Sequence, residues 1–291
     1  IGQGVPREQA YLQDFDAEDP RRKRYRYVLR QPYVRAQARW QRPDGVQPYV
    51  AMAGRWSTVT AYADSLLQEH QPHGMDGGWT LQVIGGVLWD TRDHEQNTRS
   101  GFLLEVSGRW APPLPGGAGH FGGPLLSARG FVPLGDRVVL GSRVTGEWLF
   151  GDIPFYEQVQ WGGAQPIVGY GGYSSLRGLK YGRYRSPGKA VWNNEARIDV
   201  LRHTLLKRSM VWQVVPFVDV GTVWGADSVS APAAGTVPVD LALGVGLHPV
   251  FDGAFVGRMD VGFGRDPVQQ DDGSIDWQWS PGVYLTFEQL F

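Results

Sequence analysis

The side chains best suited to chemistry gather in one stretch. Residues 151–188 are rich in glycine and aromatics and show no clear period, and SLRGLKYGRYR (175–185) sets Arg177, Arg183 and Arg185 around Lys180. Guanidinium groups at this density are made to hold carboxylates or phosphates through planar forks of N–H donors. A loop of this length inside a compact domain is usually functional or disordered. Other chemistry is sparse. His70, His73, His94, His120, His203 and His248 fall mostly in expected loops and turns. His70-Gln-Pro-His73 has a metal-like spacing, but its proline forbids a regular helix there, so a chance loop pair is the favoured reading. GYGGYSSLRG (169–178) lacks the strand–helix context of a nucleotide loop. No serine sits in a Gly-x-Ser-x-Gly elbow. Inward pairs such as Glu105 and Arg109 read as interior salt bridges rather than as catalytic groups. No catalytic residue, metal site or cofactor is expected, and the chain is not read as an enzyme.

The elements that must position the loop follow a period of two. In 78–90, Trp79, Leu81, Val83, Val87 and Trp89 share one face, and Thr80, Gln82 and Asp90 the other. In 101–110, Phe102, Leu104, Val106 and Trp110 oppose Glu105, Ser107 and Arg109. The segments 32–41, 137–150 and 254–264 alternate in the same way, with Arg258 and Asp260 opposite Met259, Val261 and Phe263. Strict alternation marks strands with two unlike faces. The 40 glycines and the 12 each of Trp, Tyr and Phe agree with an all-β chain.

A soluble sandwich also alternates. Here charge lies mid-strand on one face of strand after strand, while the opposite face is free of it. Trp40, Trp56, Trp79, Trp89, Trp110, Trp148, Trp212 and Trp224 sit on that uncharged face near strand ends. Trp79 and Trp89 bracket one strand, and at a tilt of about 40° they span roughly 25 Å, the height of a barrel's apolar band between aromatic girdles. The expected fold is therefore all-β: a transmembrane antiparallel β-barrel of about 12 strands, with 16 as the alternative, forming one domain over 1–291. Strands are expected at 25–41, 47–61, 78–90, 99–111, 123–133, 137–150, 189–201, 209–224, 238–248, 254–264 and 281–291, with a weak twelfth within 4–14. From residue 90 short connections (91–98, 134–136, 202–208, 250–253) alternate with long ones (113–121, 151–188, 226–237, 265–279), as periplasmic turns alternate with outer loops.

Composition excludes several classes. A net charge of −1 gives no nucleic-acid footprint. Without cysteines there are no disulfides or thiolate metal sites. No apolar run reaches the length of a membrane-spanning helix. The sequence begins at Ile1, from which a removed leader is expected.

Three segments together resemble one family. GGYSSLRGLKYGRYR (171–185) carries Leu176-Arg177-Gly178; the next strand reads VWNNEARIDV (191–200), and the one after it contains PFVDVGTVW (216–224). LALGVGLHP, RMDVGFG and a last strand ending in Phe291 follow. This order resembles the C-terminal barrel of the outer-membrane assembly and translocation superfamily typified by BamA, TamA and FhaC (the Omp-85 or bacterial surface antigen superfamily). The likeness is best over 137–291 and weaker back through WDTRD (89–93) and RSGFLLEVSGRWAP (99–112).

The resemblance implies a bacterial outer-membrane barrel whose 151–188 loop folds back into the lumen. It implies that Arg177 meets Glu195 and Asp219 on the inner wall, with Gly178 and Phe217 completing a loop-to-wall clamp. Alternation agrees that Glu195, Phe217 and Asp219 face inward. Tyr170, Tyr173, Tyr181 and Tyr184 are expected to pack on the wall, and Phe287 and Phe291 to form a terminal-strand signal. The implied task is insertion or passage of proteins at the outer membrane, possible also as a subunit of a complex; the alternative is a passive pore or structural barrel. Implied partners are the lipid bilayer and lipopolysaccharide, client proteins, and other outer-membrane or periplasmic subunits. Family members that insert or secrete proteins carry periplasmic domains ahead of the barrel, and none is read in this sequence, so a reduced form is expected.

Overall fold

A computed structural model describes residues 27–205, 207–225, 239–253, 255–269 and 275–291. Fourteen strands form one antiparallel sheet. They are β1 (Tyr27–Arg30), β2 (Tyr33–Arg39), β3 (Val46–Ala61), β4 (Gly78–Asp90), β5 (Gly101–Ala111), β6 (Phe121–Leu134), β7 (Val138–Trp148), β8 (Phe150–Gly151), β9 (Gly188–Leu205), β10 (Arg208–Trp224), β11 (Val239–Phe251), β12 (Phe255–Val256), β13 (Arg258–Gln269) and β14 (Ile275–Thr286). A short helix, α1 (Leu66–His70), interrupts the β3–β4 connection. Neighbours in the chain are neighbours in the sheet, from β1 and β2 at one edge to β14 at the other. Among the described residues no ladder joins β1 or β2 to β14.

The count exceeds the expected 12 because three long strands are broken. β1 and β2 both pair with β3 and are separated at Gln31 and Pro32, where proline has no N–H to donate to the ladder. β8 continues β7 past Leu149, and β12 precedes β13 across Gly257. Ladder rows thus follow the eleven expected segments closely. The weak strand placed within 4–14 and the 226–237 loop lie outside the described residues.

The two faces separate as the alternation requires. Along β9, Val191, Asn193, Glu195, Arg197 and Asp199 are buried, while Trp192 is exposed. Along β10, Gln213, Val215, Phe217 and Asp219 are buried, and Pro216 and Val218 are exposed. Val50, Met52, Val83, Val106, Leu126, Val144 and Val245 stand exposed mid-strand on the outer face. An apolar exterior of this extent belongs against lipid. Tryptophans cluster towards its ends: Trp56 meets Trp79 edge-on at 4.8 Å, and at the other end Trp89 meets Phe102 at 4.8 Å.

The last strand departs from expectation. β14 pairs with β13 over Ile275–Thr286, so the 265–279 loop is much shorter than the sequence implied and the strand ends before residue 287. Phe287 remains outside, stacked near Phe255 at 5.9 Å. Leu290 and Phe291 instead turn inward onto Phe131 and Val139. The physical reason is a demand for acceptors within the lumen. Arg143 and Arg197 are buried, and they donate to the carbonyl oxygens of Leu290 and Phe291 at 3.1 and 3.0 Å. Their guanidinium groups also lie 5.3 and 5.8 Å from the Phe291 ring, at cation–π range.

The outer face gives a direct test. Leu126 sits mid-strand in β6 and points outward, whereas its neighbour Ser127 points inward and bonds Thr145 at 2.8 Å. Leu126→Arg is expected to lower folding stability in a bilayer by about 2–4 kcal/mol, as arginine does near a bilayer midplane. Equilibrium unfolding from lipid vesicles measures this, and the loss should shrink towards the strand ends.

Candidate functional site

The 152–187 segment fills the lumen. Phe155, Tyr156, Trp161, Tyr170, Leu176, Leu179 and Tyr184 are all nearly inaccessible to solvent. Leu176, Leu179, Tyr170 and Tyr184 form one apolar cluster with Leu125 of β6, Val191 of β9 and Val223 of β10.

At the centre is Arg177, fully buried. Its backbone N and Nε donate to Asp219 Oδ2 at 3.0 and 2.9 Å, and Nη2 donates to Asp219 Oδ1 at 2.9 Å. Nη1 reaches Glu195 Oε2 at 3.2 Å and Asp260 Oδ2 at 3.4 Å. The guanidinium carbon lies 3.5 Å from the centre of the Phe217 ring. One planar fork thus engages β9, β10 and β13 while stacked on an aromatic face, a geometry lysine cannot reproduce. Arg177, Glu195, Asp219, Phe217 and Gly178 therefore meet at one point. Asp260 is the member the sequence reading left out, although alternation already faced it inward. The network continues outward: Arg197 donates to Glu195 at 2.8 Å, and His248 Nε2 lies 2.8 Å from Asp260.

Gly178 is required here. Its φ is +105°, and a Cβ would come within 2.4 Å of the Gly264 N and 2.6 Å of the Phe263 C of β13. Gly262 of β13 is equally constrained, since its Cβ would stand 2.8 Å from the Arg177 backbone. Loop and wall meet backbone to backbone. The Gly178 N also donates to Tyr284 Oη of β14 at 2.9 Å.

The tyrosines divide. Tyr170 and Tyr184 donate to the two oxygens of Asp240 on β11 at 2.7 and 3.3 Å. Tyr173 is half-buried, and its carbonyl accepts from Arg258 at 2.6 Å. Tyr181, expected on the wall, is exposed; its ring instead lies over Gly169 of the loop. Arg183 and Arg185 are buried, and Arg185 donates to Tyr27 Oη of β1 at 2.7 Å.

A second anchoring cluster was not read from the sequence. Glu157 of the loop bonds Arg55 of β3, Gln82 of β4 at 3.0 Å and Arg109 of β5 at 3.4 Å. Glu147 of β7 accepts from Lys189 at 2.8 Å, Arg109 Nη2 at 3.0 Å and the Gly162 N at 2.8 Å. Glu105 accepts from the Ala164 N at 2.7 Å and Tyr49 Oη at 2.6 Å. Glu105 and Arg109 both face inward but take different partners, because four residues along a strand span roughly 13 Å. At one sheet edge Arg35 of β2 donates to the Gly163 carbonyl at 2.7 Å. Loop contacts therefore run from β1 and β2 to β14.

Outside the membrane-spanning strands, the β4–β5 turn is held by Asp93. Burial pushes its carboxyl up, but the backbone N–H groups of Arg99 and Ser100 outweigh that and hold it below the ordinary aspartate range. The paired histidines of the sequence are not brought to this site. His70 ends α1, and the His73 carbonyl accepts from the Phe155 N.

A β-sheet with a lipid-type exterior, a charged lumen and an internal loop tied to its wall defines an outer-membrane barrel with a filled interior. The comparisons narrow the class. Residues 16–283 match the Omp85 superfamily domain, and the chain belongs to that superfamily. Among solved structures it is similar to BamA from Haemophilus ducreyi lacking POTRA domains 1–3, at 14% identity and a TM-score of 0.59, over 89% of this chain and 55% of that one. The chain thus spans about half the length of that structure. None of the curated proteins compared matches it.

Removing the arginine tests the site. Arg177→Ala leaves Asp219, Glu195 and Asp260 without their shared cation. The expected cost is roughly 3–5 kcal/mol, the range for breaking a buried pair from one side. Thermal unfolding in detergent should show the loss, and limited proteolysis should open new cleavage sites within 152–187. Arg177→Lys should recover only part of it, since a point charge cannot serve three strands.

Proposed function

We propose that this barrel acts in the insertion or passage of proteins at the bacterial outer membrane, alone or as a subunit of a complex. Omp85 membership supports this reading. The observation that carries it against a passive pore is the lumen itself. Loop 152–187 is tied to the wall by buried ion pairs at two clusters, whereas a diffusive pore needs an aqueous channel.

The sheet edges favour work on strands. β1 and β2 on one side and β14 on the other carry no further ladder among the described residues. An unpaired edge presents backbone N–H and C=O groups that another strand can complete. Exposed Tyr33, Val34, Val283 and Leu285 flank these edges, so an incoming strand would meet both backbone partners and apolar surface. The partners proposed are the lipid bilayer with lipopolysaccharide, unfolded barrel clients, and neighbouring outer-membrane or periplasmic subunits. No enzymatic step is proposed.

Reconstitution tests the reading. The protein in lipid vesicles is expected to speed folding of a small client barrel relative to empty vesicles, or to retain a client or subunit on purification from outer membranes. The absence of both acceleration and a retained protein would overturn it. In planar bilayers the intact chain should conduct weakly, and Arg177→Ala should raise the conductance. A large, steady conductance from the intact chain would favour a pore.

A further inference from the structure

The lumen holds a second arginine cluster, and it is built differently from the first. In the β6–β7 ladder Arg129 stands directly opposite Arg143. Like charges directly opposed across strands repel, and a buried charge needs a counter-charge or several strong acceptors. For four other arginines of the lumen that need is met by carboxylates: Arg109 has Glu147 and Glu157, Arg177 has three acids, Arg197 has Glu195 and Arg258 has Asp260.

Arg129 and Arg143 are an exception. Arg129 donates to Gln165 Oε1 at 3.0 Å. Arg143, only 2% exposed, donates to Asn193 Oδ1 at 2.7 Å and to the carbonyl oxygens of Ser174 and Leu290 at 2.7 and 3.1 Å. All these acceptors are neutral. Among the described residues neither arginine forms an ion pair.

Both side chains line a cavity of about 340 Å³, bounded by the loop near Gln165, by Glu288–Phe291 and by the β4–β5 turn. Glu95 and Glu288 also line it, but neither is paired with the two arginines. The cavity is large enough for a phosphate group with part of its parent molecule. The two arginines, from adjacent strands, line one space, and a tetrahedral dianion offers the counter-charge that their neutral acceptors do not supply.

We infer that this cavity is a binding site for a dianionic phosphate group, held between Arg129 and Arg143. The group can belong to a free phosphate or to a lipid headgroup. The inference does not depend on the proposed function.

The test uses the whole protein in detergent and Arg129→Gln. Among the described residues Arg129 has one hydrogen bond and no role in the Arg177 clamp, so the variant leaves that clamp intact. Thermal unfolding is followed with sodium phosphate against sodium chloride at equal ionic strength, and separately with micelles of short-chain phosphatidic acid against neutral phosphatidylcholine. Phosphate or phosphatidic acid should raise the wild-type unfolding temperature, as any ligand of the folded state does. Protection by both assigns a site open to free phosphate, and protection by the lipid alone assigns a headgroup. In Arg129→Gln calorimetric affinity for the effective ligand should fall about tenfold or more, the loss expected for one charged hydrogen bond. Without ligand the variant should unfold at a higher temperature than wild type, because the opposed charges are relieved. Protection of wild type by neither ligand, or equal protection of the variant, overturns the inference.

Discussion

Arg177 is the interaction on which the rest of the lumen depends. Its fork holds Asp219, Glu195 and Asp260 from three strands. Without it, three acidic groups would share a buried space with too little positive charge, and their desolvation would go unanswered. The dependence runs both ways. The loop carries its own buried tyrosines and arginines, and it finds acceptors for them on the wall: Asp240 for Tyr170 and Tyr184, and Tyr27 for Arg185. Loop and wall therefore form one unit, with the polar interior doing what an apolar core does in a soluble sandwich. Apolar side chains are turned to the outside, where lipid replaces protein as their solvent.

The same loop relates the two free edges of the sheet. It is bonded to β1 and β2 through Tyr27 and Arg35, and to β14 through Tyr284. A ladder between the edges would couple them by direct hydrogen bonds, but none is present among the described residues. The coupling instead runs through the lumen: Arg185 and the Gly163 carbonyl reach one edge, and Gly178, next to the Arg177 clamp on β9, β10 and β13, reaches the other. Edge position and loop position are linked by geometry, so a change at either is felt at the other.

Buried charge in this lumen is distributed unevenly. The Arg177 and Glu157 clusters balance cations with carboxylates at close range, which favours a unique loop position over a merely stable one. Between Arg129 and Arg143 the balance is left to neutral oxygens. The chain's inward turn at Leu290 and Phe291 belongs to the same economy of acceptors, since Arg143 and Arg197 take carbonyl oxygens from that segment.

The sequence alone determined which residues face inward, where the ladder rows run up to the last strand, and that the 151–188 loop is exceptional. Side-chain alternation has a period of two whatever the neighbours are, so Glu195, Asp219 and Asp260 were legible as inward and Trp79 and Trp89 as outward. The likeness of SLRG, NNEARID and FVDVG to a known barrel family added the pairing of Arg177 with Glu195 and Asp219. Only the tertiary structure decided the rest. Alternation tells the face but not the register or the angular position around the sheet, and those set which inward groups meet. Hence Asp260 joins Arg177, Glu105 and Arg109 part company, and Glu157 gathers Arg55, Gln82 and Arg109 from three strands. The end of β14 was also undecided locally. An outward strand and an inward turn suit the residues after Thr286 equally well until buried arginines distant in the chain demand their carbonyl oxygens.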